Sequence, residues 1–137
     1  MRERWFAVCV GLWLCTLPIR LRVHALPVLL RRLSGGRGRR RRRSLPEMEQ
    51  AVRLVVRICQ LRFFRCRLFP RACLRRALTL YYVLTRLGYP AQIHVGVRKW
   101  GGHLEGHSWV TLEGKAVADP TPPAAFKAIY SFPSTAE

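Results

Sequence analysis

The chain has 137 residues, half of them apolar, which suffices for one domain with a small core and is too little for several. Its formal charge of +18 is unevenly spread: residues 1–89 carry 21 arginines and three acidic residues, whereas residues 90–137 carry four basic and four acidic ones. The neutral second part, and an arginine run without interleaved aromatic residues, argue against a nucleic-acid-binding protein.

The N-terminal residues 1–33 form an apolar helical segment, which we expect to be interrupted at Pro18 and Pro27. The uninterrupted apolar run from Trp5 to Leu17 is shorter than the ~20 residues that a membrane span needs. Residues 23–25 resemble a signal cleavage site, but arginines 20 and 22 precede it, where exported precursors avoid charge. We therefore expect this segment to rest on a membrane surface or on a partner protein.

Residues 34–45 are rich in Arg and Gly and predict a flexible linker that packs against nothing. A helix should follow, because Ser44 and Glu47 fit a capping box around Pro46. Its apolar positions recur every three or four residues and predict a helix that continues to about Leu68.

The remaining pattern predicts an α+β domain over residues 46–137. Pro70 ends the first helix, and a second begins near Ala72 or Cys73 and stops at Gly88. Apolar residues then alternate with other residues over 92–97, which is typical of a half-buried strand, and residues 107–119 predict a hairpin. The proline-rich tail is expected to be mostly irregular.

Cys73 is the candidate nucleophile among the five cysteines, which are Cys9, Cys15, Cys59, Cys66 and Cys73. A reactive cysteine acts as the thiolate, and the start of a helix favours negative charge. Cys59 and Cys66 fall on the apolar face of the preceding helix and are expected to pack in the core. An odd count without a C-x-x-C pair favours a reduced, cytoplasmic setting, and no zinc pattern is present.

His107 and Asp119 are the candidate partners of Cys73, since a nucleophilic cysteine needs a histidine to share its proton and a third group to orient the ring. Both lie in the predicted hairpin, and Asp119 is the sole aspartate of the chain. His94 and His103 compete with His107, but their positions predict that both face solvent. Its position alone does not distinguish a catalytic Cys73 from a structural one.

Four blocks of sequence, in order, carry a resemblance to a known family. They are residues 73–81 (CLRRALTLY), 87–91 (LGYPA), 94–98 (HVGVR) and 106–110 (GHSWV), the last followed by Glu113-Gly114. Together they resemble the transglutaminase-like leader peptidases of lasso-peptide biosynthesis, the bacterial B proteins, over about residues 46–120. Gly106 and Ser108 stand where this family usually has alanines, and they fit the same space.

The resemblance implies a papain/transglutaminase-like core, in which helices pack on a small antiparallel sheet, and a catalytic triad of Cys73, His107 and Asp119. It implies a cysteine peptidase that cuts a ribosomally made precursor peptide between leader and core, without a cofactor. Because residues 1–45 show no β-rich recognition module, the chain resembles the split form, which works with a separate leader-recognition protein. A cyclase that closes the trimmed peptide is a further implied partner.

The sequence is also consistent with two other functions. The same three residues would serve an amide transferase, in which an amine replaces water as the acceptor. A basic adaptor that binds a membrane or nucleic acid without catalysis would require an unreactive Cys73.

The hairpin turn determines whether Asp119 can reach His107. A two-residue turn at Glu113-Gly114 would point the Asp119 side chain away from His107, whereas a three-residue loop of residues 112–114 would put the two residues directly opposite each other. We therefore predict the three-residue loop, a hydrogen bond from His107 to Asp119, and the Cys73 sulfur near the other ring nitrogen. Trp109 should then share the face of the pair.

Overall fold

The computed structural model of the chain describes residues 2–35, 41–62, 71–119, 121 and 123–134. Within these ranges it contains four α-helices, a short 3-10 helix (Pro123–Ala125) and one four-stranded antiparallel sheet, so the α+β class is confirmed. The helices are α1 (Arg2–Val23), α2 (Leu26–Ser34), α3 (Leu45–Cys59) and α4 (Ala72–Arg86). The strands are β1 (Ala91–Trp100), β2 (His103–Leu112), β3 (Lys115–Ala116) and β4 (Lys127–Phe132), in the spatial order β3-β2-β1-β4.

Helix α4 lies at the centre of the fold and is buried on most of its sides. It packs against β1 and β2 and against the other three helices. Its C-terminal end follows the prediction: the helix stops before Gly88, whose φ of 83° is the left-handed conformation that glycine adopts readily.

The N-terminal helices belong to the same core as the rest of the domain. Leu14 and Leu17 of α1 and Leu29 and Leu30 of α2 are fully buried in one cluster with residues of α3, α4 and the sheet. Pro18 does not interrupt α1, contrary to the prediction, whereas Pro27 stands in the first turn of α2, where a missing N–H costs nothing. Glu3–Val23 is long and apolar enough to cross a membrane by length and composition, a test that signal sequences and core helices also pass.

Helix α3 begins where predicted but ends earlier. Ser44 is its N-cap residue, yet the Ser44 side chain makes no capping hydrogen bond. The helix ends at Cys59 instead of near Leu68, and the carbonyl oxygen of Cys59 accepts a 2.8 Å hydrogen bond from the buried guanidinium of Arg75 on α4. This bond satisfies a carbonyl at the helix end without another helical turn. Cys66 lies outside the described residues.

The end of the predicted linker packs against the domain, so the expectation that it contacts nothing is wrong for residues 41–43. The backbone N–H of Arg43 donates to the Leu87 carbonyl, and the Arg43 carbonyl accepts from the Tyr89 hydroxyl. A side chain at position 88 would lie 2.9 Å from the backbone of Arg41 and Arg42. Glycine at position 88 is therefore required for close approach as well as for its backbone angle.

The sheet is more extensive than predicted. Strands β1 and β2 form a long hairpin across Gly101 and Gly102, both with positive φ, and pair from Trp100↔His103 to Ala91↔Leu112. The tail expected to be irregular contains β4, which pairs with the other edge of β1. Tyr130 and Phe132 of this strand pack on the core, an alternation that the neighbouring prolines obscured in the sequence.

Candidate active site

His107 and Asp119 form a buried hydrogen-bonded pair. Nε2 of His107 lies 2.7 Å from Oδ2 of Asp119, and their side chains are 9% and 1% exposed. The hydrogen bond agrees with the prediction. Because an ionised carboxylate only accepts, Nε2 carries the hydrogen of this bond and Nδ1 of the neutral ring is left as an acceptor. The pair is thus arranged as an imidazole held in one tautomer by a carboxylate.

The turn that precedes Asp119 differs from the predicted one. Leu112 pairs with Lys115 and Thr111 with Ala116, so the turn has the two residues Glu113 and Gly114, both with positive φ. The predicted three-residue loop is wrong.

The register continues to Val117, whose N–H donates to the Val110 carbonyl. Ala118 then adopts a φ of 49°, and the chain leaves the sheet. A left-handed alanine is uncommon, and its backbone turn directs Asp119 to His107 where regular pairing would direct it away.

Arg76 is a site residue that the sequence reasoning missed. Its Nη2 lies 3.3 Å from Oδ1 of Asp119, and the backbone N–H of Thr121 donates to the same oxygen at 3.0 Å. Both carboxylate oxygens are therefore engaged, Oδ2 by the ring and Oδ1 by two donors. The signal in the sequence was the spacing, because residues three apart share one side of a helix and Arg76 follows Cys73 by three.

Cys73 occupies the second position of α4. The described residues provide no side-chain hydrogen bond that caps this helix, so the first backbone N–H groups remain available to stabilise negative charge. Cys73 is half-buried, and the contact of Arg76 with Asp119 brings this end of α4 to the His107 pair. Among the described residues no hydrogen bond joins the Cys73 thiol to His107, and the approach of sulfur to Nδ1 stays a prediction.

The other described cysteines differ from Cys73 in position. Cys59 is buried, as predicted, and burial raises the pKa of its thiol above the ordinary value. Cys15 is exposed and Cys9 half-buried, both on α1. Cys73 is thus the described cysteine that lies at the start of a helix.

Aromatic rings surround His107. The Phe126 ring lies 4.9 Å from the imidazole and the Trp109 ring 5.9 Å, both near parallel to it, which confirms that Trp109 shares the face of the pair. Gly96 pairs with His107 across the sheet, and a side chain at position 96 would lie 2.8 Å from the Trp109 ring. The absence of a side chain at Gly96 therefore makes room for Trp109 beside His107.

His94 is not solvent-facing, so that prediction is wrong, whereas His103 is exposed as predicted. The two ring nitrogens of His94 lie 2.7 Å from the Ser131 hydroxyl and 2.8 Å from the Thr111 hydroxyl, and the ring stacks on Trp109. Burial lowers the pKa of His94 below 6.5. Strand β4, which the sequence did not reveal, covers this residue and supplies Ser131.

In the part of the chain that the structure describes, no group of three or more His, Cys, Asp or Glu side chains is placed to hold a metal ion.

Comparison with known proteins gives one finding. A family model described as the transglutaminase-like superfamily matches residues 12–131. This range begins within α1, ends within β4 and includes Cys73, His107 and Asp119. Comparisons with curated proteins and with solved structures give no match.

Proposed function

The chain belongs to the transglutaminase-like superfamily, which includes cysteine peptidases and amide transferases, and on that premise we propose that it is a cysteine peptidase of lasso-peptide maturation. Its substrate would be a ribosomally made precursor peptide, cut between leader and core. The observation that carries the proposal is the buried hydrogen bond between His107 and Asp119, beside the end of α4 that bears Cys73.

In the proposed reaction the Cys73 thiol loses its proton to Nδ1 of His107, and the thiolate attacks the carbonyl carbon of the scissile peptide bond. The tetrahedral oxyanion is stabilised by a backbone N–H at the start of α4, that of Cys73 being the natural donor. His107 then protonates the departing amine, and the carbon–nitrogen bond breaks. Water, deprotonated by the same ring, hydrolyses the thioester and regenerates the thiol.

Asp119 has two roles in this scheme. It holds the tautomer that leaves Nδ1 free to accept a proton, and its negative charge stabilises the imidazolium that forms. Arg76 and the Thr121 N–H fix the carboxylate, so that its orientation does not depend on the histidine alone. The aromatic rings beside His107 limit the access of water to the pair, which strengthens electrostatic interactions within it.

The proposed partners are the precursor peptide, a separate leader-recognition protein and a cyclase, and the proposed compartment is the cytoplasm. The test is to incubate the full chain with the precursor peptide from the same gene neighbourhood, with and without the recognition protein, and to weigh the products. The proposal predicts leader and core fragments whose summed mass exceeds the precursor by one water. A product linked to an added amine would assign the amide transferase instead.

Labelling with iodoacetamide separates an enzyme from a non-catalytic adaptor. Cys15 is exposed and lies outside the site, so it serves as an internal control within the same molecule. The proposal predicts that alkylation at Cys73, resolved by peptide mapping, outpaces alkylation at Cys15 near neutral pH. Slower labelling of Cys73 than of Cys15 would favour the adaptor.

A further inference from the structure

Helix α1 has two apolar faces, only one of which is covered by the protein. The covered face packs in the core through Val10, Trp13, Leu14 and Leu17. The opposite face carries five large apolar side chains that are 52% to 72% exposed, here called the α1 stripe: Trp5, Val8, Leu12, Ile19 and Val23. Their spacing of three, four or seven residues aligns them along about 27 Å of helix.

A helix on the surface of a soluble protein normally turns polar residues outward. A row of five exposed apolar side chains of this length marks a surface that contacts a membrane or another protein. The helix cannot use this stripe by crossing a bilayer, because crossing would withdraw Leu14 and Leu17 from the core, where both are fully buried. The geometry that retains the core is a helix lying along a surface.

Charge decides between a membrane and a second copy of the chain. Arg20 and Arg22 flank the C-terminal half of the α1 stripe on its two sides, and the formal charge of the chain is +18. Two copies joined through this face would bring these arginines together and repel each other. An anionic phospholipid surface instead offers acyl chains to the stripe and phosphates to its arginines.

A cavity of about 380 Å³ lies at the C-terminal end of the stripe, between α1, α2 and the last turn of α4. Ile19 and Val23 of the stripe contribute to its lining together with Arg20, Arg32 and Arg86. No acidic side chain lines it among the described residues. Arg20 and Arg32 make their side-chain hydrogen bonds to Thr16 and His24, and among the described residues neither forms an ion pair with a carboxylate, so both guanidinium groups are suited to bind a phosphate.

The arginines of this cavity are held in place by neighbouring rings. The Arg20 guanidinium lies 5.1 Å from the centre of the Trp13 ring and that of Arg86 lies 4.8 Å from the Tyr82 ring. Arg32 Nη1 lies 3.1 Å from Nε2 of His24. We propose that the α1 stripe and this arginine-lined cavity dock the protein on an anionic phospholipid membrane, the stripe against acyl chains and the cavity around a headgroup phosphate.

Co-sedimentation of the full chain with vesicles tests the proposal. Vesicles of phosphatidylcholine with phosphatidylglycerol should pellet the protein, and vesicles of phosphatidylcholine alone should pellet much less of it. The double variant Leu12→Gln with Ile19→Gln should bind the anionic vesicles roughly tenfold more weakly or worse, since it removes two apolar side chains from the contact. Arg20→Gln with Arg32→Gln should weaken binding by roughly tenfold.

Matched controls exist on other surfaces. Leu104 and Ile129 are 74% and 62% exposed on the sheet, so Leu104→Gln with Ile129→Gln removes the same residue types at similar exposure. Arg53→Gln with Arg57→Gln removes two exposed charges from α3. Both controls should bind like the wild type, and circular dichroism should show all four variants folded.

Three outcomes would overturn the proposal: equal pelleting with both vesicle types, a stripe variant that binds like the wild type, or a concentration-dependent dimer in ultracentrifugation that the stripe variant abolishes. The last result would assign the stripe to a second copy of the chain. If the stripe variant fails to fold, the variant Arg20→Gln with Arg32→Gln and its control Arg53→Gln with Arg57→Gln still test the proposal.

Discussion

Nη2 of Arg76 lies 3.3 Å from Oδ1 of Asp119, and this contact determines how an amide at position 119 would be oriented. Arg76 and the Thr121 N–H both donate to Oδ1, so an asparagine must place its carbonyl oxygen there and turn its NH₂ toward Nε2 of His107. Nε2 would then have to accept, and the ring hydrogen would move to Nδ1, where the proton of Cys73 has to arrive.

Asp119→Asn should therefore fold normally and lose activity on the order of 10⁴-fold, as expected for an imidazole held in the wrong tautomer. Single-turnover cleavage of the precursor peptide and thermal unfolding, measured on the same preparation, check the two halves of this expectation. An asparagine variant that cleaves at the wild-type rate would show that the carboxylate does not set the tautomer.

Arg76→Gln should lower kcat by roughly a hundredfold with little change in KM, because a carboxylate that loses its anchor no longer holds the imidazole in the reactive position. Arg76→Lys should restore part of the rate, since lysine supplies a positive charge but lacks the planar guanidinium that can donate two parallel hydrogen bonds to a carboxylate. Arg53→Gln, on the exposed side of α3, is the matched control and should have no effect. A rise in KM alone would assign Arg76 to substrate binding.

The three residues of the candidate site could be read from the sequence because each has a local signature. Cys73 opens a helix after a proline, and His107 and Asp119 belong to segments that read as strand and turn. The contacts among these three residues were harder to predict from the sequence. The two-residue turn alone would have separated His107 from Asp119, and the left-handed Ala118 that unites them has no signature, since alanine adopts this conformation only where tertiary contacts enforce it.

Arg76 and Arg75 show a second limit of prediction from sequence patterns. In a strongly cationic helix both look like solvated charge, yet Arg75 is buried and binds the end of α3, and Arg76 binds Asp119. The end of α3 and the anchoring of the carboxylate both depend on partners distant in sequence. Spacing places Arg76 on the same side of the helix as Cys73, but it does not show which charged side chains acquire buried partners.

Cys59→Ser should lower stability by about 1–3 kcal/mol, because it buries a hydroxyl in place of a less polar thiol, and it should leave the chemistry intact. Cys15→Ser replaces an exposed cysteine and should leave the melting temperature unchanged. Thermal unfolding of both variants beside the cleavage assay tests this. Loss of turnover in a folded Cys59→Ser protein would show that Cys59 does more than pack in the core.

His94 should make the protein less stable in mild acid. Its pKa in the folded state is lowered below 6.5 by burial, so the unfolded state binds more protons once the pH falls through 6.5. The contribution of this residue is complete above pH 6.5 and declines as the pH falls toward the folded-state pKa. Melting temperatures at pH values on either side of 6.5 should differ more for the wild type than for His94→Gln.

The exposed His103 provides the control for this pH effect, and His103→Gln should retain the wild-type dependence. A His94→Gln protein whose melting temperature falls in acid as much as that of the wild type would show that other groups cause the loss.

The central claim is that Cys73 is the nucleophile, and turnover of the precursor peptide by Cys73→Ala, beside Cys15→Ala as a matched alanine substitution, tests it most directly. Both variants should fold, because neither position is fully buried. The account predicts no cleavage above background for Cys73→Ala and the wild-type rate for Cys15→Ala. Cleavage by the folded Cys73→Ala protein above background would contradict it.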